Sequence, residues 1–169
     1  PYKLTFVTTY WCNYKCKTCN IWERRPKDEL TLEEIQRFFR RSNGFNWIDF
    51  TGGEPWLRKD FPEIVEAAID HCPDLLLIHF PTNGYLTKTI VAGVERILRK
   101  RPRKLIVTVS TDGDEAVNDE VRGKEGGWRR QIFFPQPVDE LVGAACLSRR
   151  FEYLIRFQRI SEVNQPTAL

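Results

Sequence analysis

The chain has 169 residues, of which 41% are hydrophobic and 12% aromatic, and its formal net charge is +3. This composition predicts a globular domain with a packed core rather than a disordered chain. No stretch approaches the roughly eighteen apolar residues that a membrane span needs, and no basic-then-apolar leader precedes Tyr2. We therefore expect a soluble, cytoplasmic protein with no membrane span.

Strand and helix patterns alternate over the first two-thirds of the chain. The predicted strands are short apolar runs at residues 4–9, 47–51, 75–80 and 104–110. The predicted helices are amphipathic. The first opens with a capping box at Thr31 and Glu34, the second is capped by Asp60 with Glu63 three residues later, and the third spans residues 87–99. Apolar strands separated by amphipathic helices are typical of an α/β fold with a parallel sheet.

A run of basic residues lies at the end of the third predicted helix. It consists of Arg96, Arg99, Lys100, Arg101, Arg103 and Lys104. Cations near the carboxyl end of a helix are stabilised by its dipole. We interpret the run as a solvated helix end, and the sequence shows no clear nucleic-acid site.

Three cysteines follow the first predicted strand within eight residues, as Cys12-Asn-Tyr-Lys-Cys16-Lys-Thr-Cys19. Three thiolates are one fewer than a tetrahedral metal or a four-iron cluster binds, so one position stays open for another ligand. The spacing therefore predicts an iron–sulfur cluster with one iron available for chemistry.

A structural zinc site is the alternative for the same cysteines, and it needs a fourth ligand. Before the C-terminal segment, the only candidates for that ligand are His71, His79 and Cys72. Cys72 closes the second helix and Cys146 lies in an apolar run, so we expect both to be buried small hydrophobic residues.

Polar motifs with glycine directly follow each of the other three strands. They are Thr51-Gly-Gly-Glu-Pro55, Pro81-Thr-Asn-Gly84 and Ser110-Thr-Asp-Gly113. The carboxyl ends of parallel strands meet at one edge of a sheet, where α/β proteins build their sites. All three motifs should therefore surround the cysteines.

The residue types in these motifs indicate what they can bind. Two adjacent glycines let a ligand approach the backbone, and Glu54 offers an acceptor for a cationic amine. Ser110 and Asp112 can bind a ribose or an amino-acid head group. Arg122, beyond a short helical stretch, offers a fork that fits a carboxylate.

In combination, these motifs resemble the radical S-adenosylmethionine (SAM) enzymes. The resemblance rests on Cys12-x3-Cys16-x2-Cys19, Gly52-Gly53-Glu54-Pro55, Thr82-Asn83-Gly84, and Ser110-Thr-Asp-Gly113 followed by Asp119-Glu-Val-Arg122-Gly123, and it covers roughly residues 3–128. It implies a partial (β/α)6 TIM-like barrel, incomplete in this chain. The three cysteines would hold a [4Fe-4S] cluster whose fourth iron binds the amino and carboxylate groups of SAM.

The resemblance also assigns cofactor-binding residues, which are Gly52, Gly53, Glu54, Asn83, Ser110, Asp112 and Arg122. The Gly-Gly-Glu turn would hold the methionyl amine, and Ser110 and Arg122 would meet the carboxylate or the ribose. Asn83 and Asp112 would lie nearby. The family usually has an aromatic residue directly before the third cysteine, where this chain has Thr18.

The activity implied by the resemblance is reductive cleavage of SAM. One electron from the cluster would give methionine and a 5′-deoxyadenosyl radical, which abstracts hydrogen from a substrate held in the barrel. The implied partners are a small electron-donor protein such as flavodoxin or ferredoxin, and a substrate that is a peptide, a tetrapyrrole precursor or a nucleotide.

The alternation of strands and helices fades after Trp128. We expect residues 1–128 to form a core of four βα units and residues 129–169 an atypical C-terminal segment, the incomplete end of a barrel. That segment carries a short helical pattern at 139–147 and an amphipathic run at 151–160. An inactive fragment that binds cluster and SAM as an interaction module, or a zinc-binding structural domain, are the alternatives in function.

Overall fold

The computed structural model describes residues 2–132 and, as backbone, residues 152–159. Its strands are β1 (Tyr2–Thr9), β2 (Phe45–Gly52), β3 (Leu77–Thr82), β4 (Lys104–Thr111) and β5 (Glu152–Arg159). Its α-helices are α1 (Leu32–Arg41), α2 (Phe61–His71), α3 (Thr87–Arg99), α4 (Glu115–Arg122) and α5 (Gly127–Ile132). Short 3-10 turns occupy Ile21–Glu23 and Pro55–Leu57.

The described strands form one parallel sheet in the order β1-β2-β3-β4-β5. Parallel neighbours must be joined by crossovers, and a strand order that never reverses carries successive crossovers to the same face of the sheet. This order is that of a barrel, since a doubly wound sheet reverses direction at its centre. The predicted α/β class with a partial barrel is confirmed.

The face of the sheet that meets the helices forms the hydrophobic core. Alternate residues of the strands, such as Ile48 and Phe50 of β2 and Phe80 of β3, are fully buried there. The ring of Phe61, at the start of α2, packs edge-on against Phe80 with a centroid distance of 5.3 Å. Each such side chain contributes roughly 1.5–3 kcal/mol through its burial, so this face fixes the register of the strands.

The intervening residues of the strands point to the opposite face, which we call the inner face. Asp49, His79 and Thr108 occupy neighbouring strands there. The Nδ1 atom of His79 lies 2.7 Å from Oδ1 of Asp49, and its Nε2 atom lies 2.8 Å from Oγ1 of Thr108. Lys3 of β1 adds an ion pair with Asp49 at 3.5 Å. The inner face is thus polar halfway along the strands, whereas the face that meets the helices, which we call the outer face, is apolar.

Several local predictions are confirmed and one is wrong. The capping box of α1 is present, with the Glu34 N–H donating to Thr31 Oγ1 and the Thr31 N–H donating to the Glu34 carboxylate. The predicted bounds of α3 match the structure. The Asp60 side chain does not cap α2, because it binds the guanidinium of Arg58. Cys72 is buried as expected, whereas Cys146 lies outside the described residues.

The C-terminal segment adds a strand that the sequence pattern did not reveal. The amphipathic run at residues 151–160 contains β5, which pairs in parallel with β4 from Lys104 to Thr111. The expected boundary after Trp128 falls inside α5. The helical pattern at 139–147 lies outside the described residues. Within the described part of the chain, no helix is both long and apolar enough to cross a membrane.

Candidate functional site

The four strand-end segments meet at the carboxyl edge of the sheet around a cavity of about 220 Å³. We call the segment between β1 and the cap of α1, residues 10–30, the cysteine loop. Most of the residues predicted for the site line the cavity: Cys12, Cys16, Cys19, Gly52, Gly53, Glu54, Asn83, Ser110 and Arg122. The exception is Asp112, which lies behind Arg122. The parallel topology therefore brings the predicted motifs together in one place.

The three cysteines lie on one wall of the cavity as free thiols. Cys12 and Cys16 are half-buried and Cys19 is exposed. Burial raises the pKa of Cys16 to about 11 and shifts the pKa of Cys12 in the same direction. Both thiols are protonated at neutral pH, so ligation by their thiolates would release protons.

The two kinds of metal site make different demands on this loop. No three His, Cys, Asp or Glu side chains in the described residues are grouped so that they could hold a single metal ion. A four-iron cluster does not need that convergence, because each thiolate binds a different iron. Of the candidates for a fourth zinc ligand, His79 is bonded to Asp49 and Thr108, and Cys72 is buried where α2 ends.

The adjacent glycines hold the start of the cysteine loop by backbone contacts. The Gly53 N–H donates to the Thr9 carbonyl at 2.8 Å, and the Glu54 N–H donates to the Trp11 carbonyl at 2.8 Å. Gly52 adopts φ of +130°, and a Cβ on Gly53 would overlap the Trp11 carbonyl. Only glycine permits this approach, so the turn after β2 fixes the backbone just before Cys12.

Two further contacts hold the middle of the loop. The amide of Asn83 donates from Nδ2 to Oδ1 of Asn13 at 2.6 Å. The Lys17 N–H donates to the carbonyl of Val121, in α4, at 2.7 Å. The loops after β2 and β3 and the end of α4 therefore all position the cysteine loop, whose backbone has few bonds of its own.

Glu54 is the buried acidic group of the cavity, with 1% of its surface exposed. Its carboxylate accepts hydrogen bonds from Thr82 Oγ1 and the Asn83 N–H, both at 2.7 Å, and a long one from the Trp56 N–H at 3.4 Å. Burial outweighs these bonds and raises the pKa of Glu54 to about 7. A carboxylate has about four acceptor positions, so one remains for a cationic group in the cavity.

Arg122 is the buried basic group of the cavity, and its partner is Asp112. The Arg122 Nε atom lies 2.9 Å from Oδ2 of Asp112, with 5% and 3% of the two side chains exposed. The two atoms form an ion pair but are not aligned as a hydrogen bond. Asp112 therefore neutralises and orients Arg122, and the other guanidinium N–H groups remain for an anion.

The donor set of the cavity fits an amino-acid group beside a cluster held by thiolates. The thiols of the cysteine loop lie on one wall, Glu54 provides an acceptor for an ammonium, and Arg122 provides donors for a carboxylate. A buried acidic group and a buried basic group that line one cavity match the two charges of an amino acid. The arrangement therefore supports binding of an amino-acid group next to a cluster.

Aromatic side chains surround the cysteines. Tyr14 is buried, lines the cavity and packs edge-on against Tyr85 with a centroid distance of 5.9 Å. The indole N–H of Trp22 donates to the Cys16 carbonyl at 3.4 Å. Thr18, directly before the third cysteine, also lines the cavity. Tyr14 and Trp22 therefore provide the apolar cover of this loop.

Sequence reasoning missed two participants of the site. Thr82 binds the carboxylate of Glu54, and Asn13 binds Asn83. Thr82 stood inside a recognised motif, so its strand-end position was a usable signal. Asn13 had no such signal, since its partner lies seventy residues away in the chain.

The sequence was compared with protein families and with curated proteins. The family model described as "Radical SAM superfamily" matches residues 6–132. The probable GTP 3′,8-cyclase of Thermococcus kodakarensis is 36% identical over 129 residues, which are 68% of this chain and 40% of the relative. The mycofactocin maturase MftC of Mycolicibacterium smegmatis is 28% identical over an alignment of 182 residues that covers all of this chain and 41% of the relative.

Solved structures share the fold at lower sequence identity. SuiB of Streptococcus suis bound to S-adenosylmethionine superposes with a TM-score of 0.65 and 16% identity, covering 99% of this chain and 42% of SuiB. The enzyme anSMEcpe with bound AdoMet and Cp18Cys peptide gives a TM-score of 0.54 and 21% identity, covering 91% and 42%. The chain thus spans about two fifths of the length of these relatives.

Proposed function

We propose that this chain, which belongs to the Radical SAM superfamily, forms the cofactor-binding part of an enzyme. That enzyme cleaves S-adenosylmethionine reductively. The superfamily uses a [4Fe-4S] cluster and SAM. When bound, these cofactors supply a 5′-deoxyadenosyl radical that abstracts hydrogen from a substrate. The observation that carries the proposal is the cavity that Cys12, Cys16 and Cys19 share with Glu54 and Arg122.

The cysteine loop has the role of holding the cluster. Its thiols come from three positions on a loop whose backbone is held by Gly53 and Glu54 and whose Asn13 side chain is held by Asn83, so the thiols are positioned before iron binds. The buried ring of Tyr14 and the partly buried ring of Trp22 would limit the access of water to the cluster. Three protein ligands leave one iron without a side chain, which is where SAM would bind.

The opposite walls have the role of binding the amino-acid end of SAM. Glu54 accepts a hydrogen bond from the ammonium, with the backbone of Gly52 and Gly53 alongside. Arg122, oriented by Asp112, donates to the carboxylate. Ser110, a residue of β4 that lines the cavity, would meet the carboxylate or the ribose. Asn83 acts through its bonds to Glu54 and Asn13 rather than by contact with the ligand.

The partners of the protein are proposed from the chemistry. Reduction of the cluster needs a one-electron donor, for which a flavodoxin or ferredoxin is suited. The substrate is a peptide, a tetrapyrrole precursor or a nucleotide. Among the relatives, one is named a GTP cyclase, and SuiB has been solved bound to its precursor peptide SuiA. The core of residues 1–128 would serve any of these classes.

Anaerobic reconstitution with iron and sulfide tests the proposal. We expect about four iron atoms per chain, a brown chromophore, and 5′-deoxyadenosine after reduction in the presence of SAM. Cys16→Ala should lose the cluster, whereas Cys72→Ala, a buried cysteine away from the cavity, should keep it.

The alternatives give different results in the same experiment. SAM binding without 5′-deoxyadenosine would indicate an inactive binding module. One zinc per chain with no chromophore would indicate a structural zinc domain. A Cys16→Ala protein with the iron content of the wild type would contradict the ligand assignment.

A further inference from the structure

A single arginine binds the backbone at both ends of the cysteine loop. Arg58 follows the 3-10 turn after β2, and 12% of its side chain is exposed. Its Nη1 donates to the carbonyl of Thr8 at 3.0 Å, and its Nη2 donates to the carbonyl of Leu30 at 2.7 Å. Thr8 lies just before the loop and Leu30 is its last residue, so one guanidinium joins the two ends.

The orientation of this guanidinium is fixed by Asp60. Arg58 Nε donates to Oδ1 of Asp60 at 2.8 Å, and Nη2 donates to Oδ2 at 3.1 Å, in a bidentate pair. The Asp60 side chain makes these bonds instead of capping α2. A planar guanidinium can hold a bidentate carboxylate pair and donate to two carbonyls at the same time, whereas the three donors of a lysine ammonium have no such fixed fork.

We propose that Arg58 is a positioning residue that closes the cysteine loop and thereby sets the spacing of its three thiolates. The inference rests on the proposed function of that loop as the cluster ligand. Arg58 does not line the cavity that the cysteines share, so we assign it no contact with a cofactor bound there. It acts on the cluster only through the backbone.

The loop needs such a closure because of its length and its lack of internal structure. It contains about twenty residues between β1 and α1, with one 3-10 turn at Ile21–Glu23, and the entropy of closing a loop rises with its length. A second bond across the ends, from the Tyr10 N–H to Oε1 of Glu29 at 3.0 Å, lies at the surface. The Arg58 bond to Leu30 also lies at the surface, but the Arg58 bond to Thr8 is partly buried and the guanidinium is held by Asp60, so Arg58 should contribute more to the closure.

Arg96 provides a matched control for Arg58. Its guanidinium also makes several charge-assisted bonds, to Glu63 and Glu66, but these join α2 to α3 on the helical side of the sheet. Arg58→Lys and Arg96→Lys therefore remove a similar set of guanidinium hydrogen bonds, the first at the ends of the cysteine loop and the second between α2 and α3. Only the first change affects the ends of the cysteine loop.

Hydrogen exchange of the whole chain, before iron and sulfide are added, tests the closure directly. In Arg58→Lys we expect backbone amides of residues 10–30 to exchange about tenfold faster or more, with α3 unchanged. In Arg96→Lys the loop should exchange within about twofold of the wild type. Equal loop exchange in Arg58→Lys and the wild type would overturn the proposal.

Asp60→Asn provides a second variant in case Arg58→Lys opens the whole chain. It retains the arginine and weakens only the group that orients it, so loop exchange should increase by an intermediate amount. A loop in Asp60→Asn that exchanges as slowly as in the wild type would also contradict the proposal.

Reconstitution then links the closure to the cluster. If wild-type protein takes up a cluster, Arg58→Lys should hold less than half as much iron per folded chain, and Arg96→Lys should match the wild type. Full loading of Arg58→Lys would overturn the role of Arg58. Failure of the wild type to load a cluster would instead refute the proposed function, while the exchange result would still decide whether Arg58 closes the loop.

Discussion

At the scale of single residues, Glu54 shows how burial changes the chemistry of a side chain. Its carboxylate is enclosed by Thr82, Asn83 and Trp56, and the loss of solvent raises its pKa to about 7. The same carboxyl is an ordinary acid in the unfolded chain. Its protonation is therefore linked to folding, and its charge depends on pH in the neutral range.

We predict a pH dependence of stability that originates from Glu54. Its pKa rises from 4.5 in the unfolded chain to about 7 in the folded protein. Between these values the folded state binds the proton and the unfolded state does not, so the free energy of unfolding falls as pH increases, by up to about 3 kcal/mol. Glu54→Gln should lose this slope in urea denaturation at pH 4.5 to 7.5.

The control for this prediction is Glu125→Gln, which changes the same chemical group at an exposed position. It should keep the wild-type slope. A Glu54→Gln protein whose stability varies with pH as the wild type does would show that another group is responsible.

A second prediction at this scale concerns Gly53. Gly53→Ala places a Cβ against the Trp11 carbonyl, so the backbone before Cys12 must shift. We expect a loss of stability of roughly 1–3 kcal/mol and iron content below half of the wild type after reconstitution. Gly44→Ala is the control, because no atom lies within 4 Å of a Cβ there. Wild-type loading of Gly53→Ala would contradict the role of this close approach.

At the scale of elements, local sequence and tertiary contacts contribute separately to each helix. The first helix has a complete capping box at Thr31 and Glu34, with acidic residues in its first turn and basic residues in its last. The second has no side-chain cap, and it begins where Arg58 and Asp60 pair. The start of α1 is thus set locally, whereas the start of α2 is tied to the cysteine loop.

We predict that Thr31→Ala weakens α1 without disturbing the site. Loss of the cap should lower the free energy of unfolding by about 1 kcal/mol, measured by chemical denaturation. Thr89→Ala, at an exposed position inside α3, should change stability by no more than a few tenths of a kcal/mol. Iron content per folded chain should be the same in both variants. An unchanged stability of Thr31→Ala would mean that the capping box contributes little.

At the scale of the whole molecule, the apolar outer face of the sheet and the polar carboxyl edge have separate tasks. The core between the sheet and the helices provides the stability, while the edge carries the cysteine loop and its supports. Buried charges such as Glu54 and the pair of Arg122 and Asp112 cost stability unless they are satisfied. A ligand that bonds to them should therefore stabilise the fold.

We predict that cluster loading raises the melting temperature of the chain. A ligand that binds only the folded state stabilises it in proportion to the logarithm of its concentration over Kd, so a tightly held cluster should raise Tm by several degrees. Removal of iron with a chelator should reverse the change. Cys16→Ala should melt at one temperature with or without reconstitution, and a rise in its Tm would indicate binding elsewhere.

The sequence by itself determined the fold class, the superfamily and the edge of the sheet where the motifs meet. The cysteine spacing and the motifs after each strand are local features, and parallel strands necessarily bring their carboxyl ends to one edge. The prediction that Gly52, Glu54, Asn83 and Ser110 gather near the cysteines depended on nothing more, whereas that of Arg122, at the end of α4, came from the resemblance to the family. Their roles toward a cofactor remain predictions.

Only the tertiary structure decided how these residues are held. Arg58 donates hydrogen bonds to the carbonyls of Thr8 and Leu30 at the two ends of the loop. Asp112 forms an ion pair with Arg122. The Asp60 side chain binds Arg58 and does not cap α2. Such partners are far apart in the chain and follow no helical or strand period, so no local pattern records them. The physical reason is that a hydrogen bond depends on distance and direction in space. These are fixed only once the sheet has formed and has brought distant residues together.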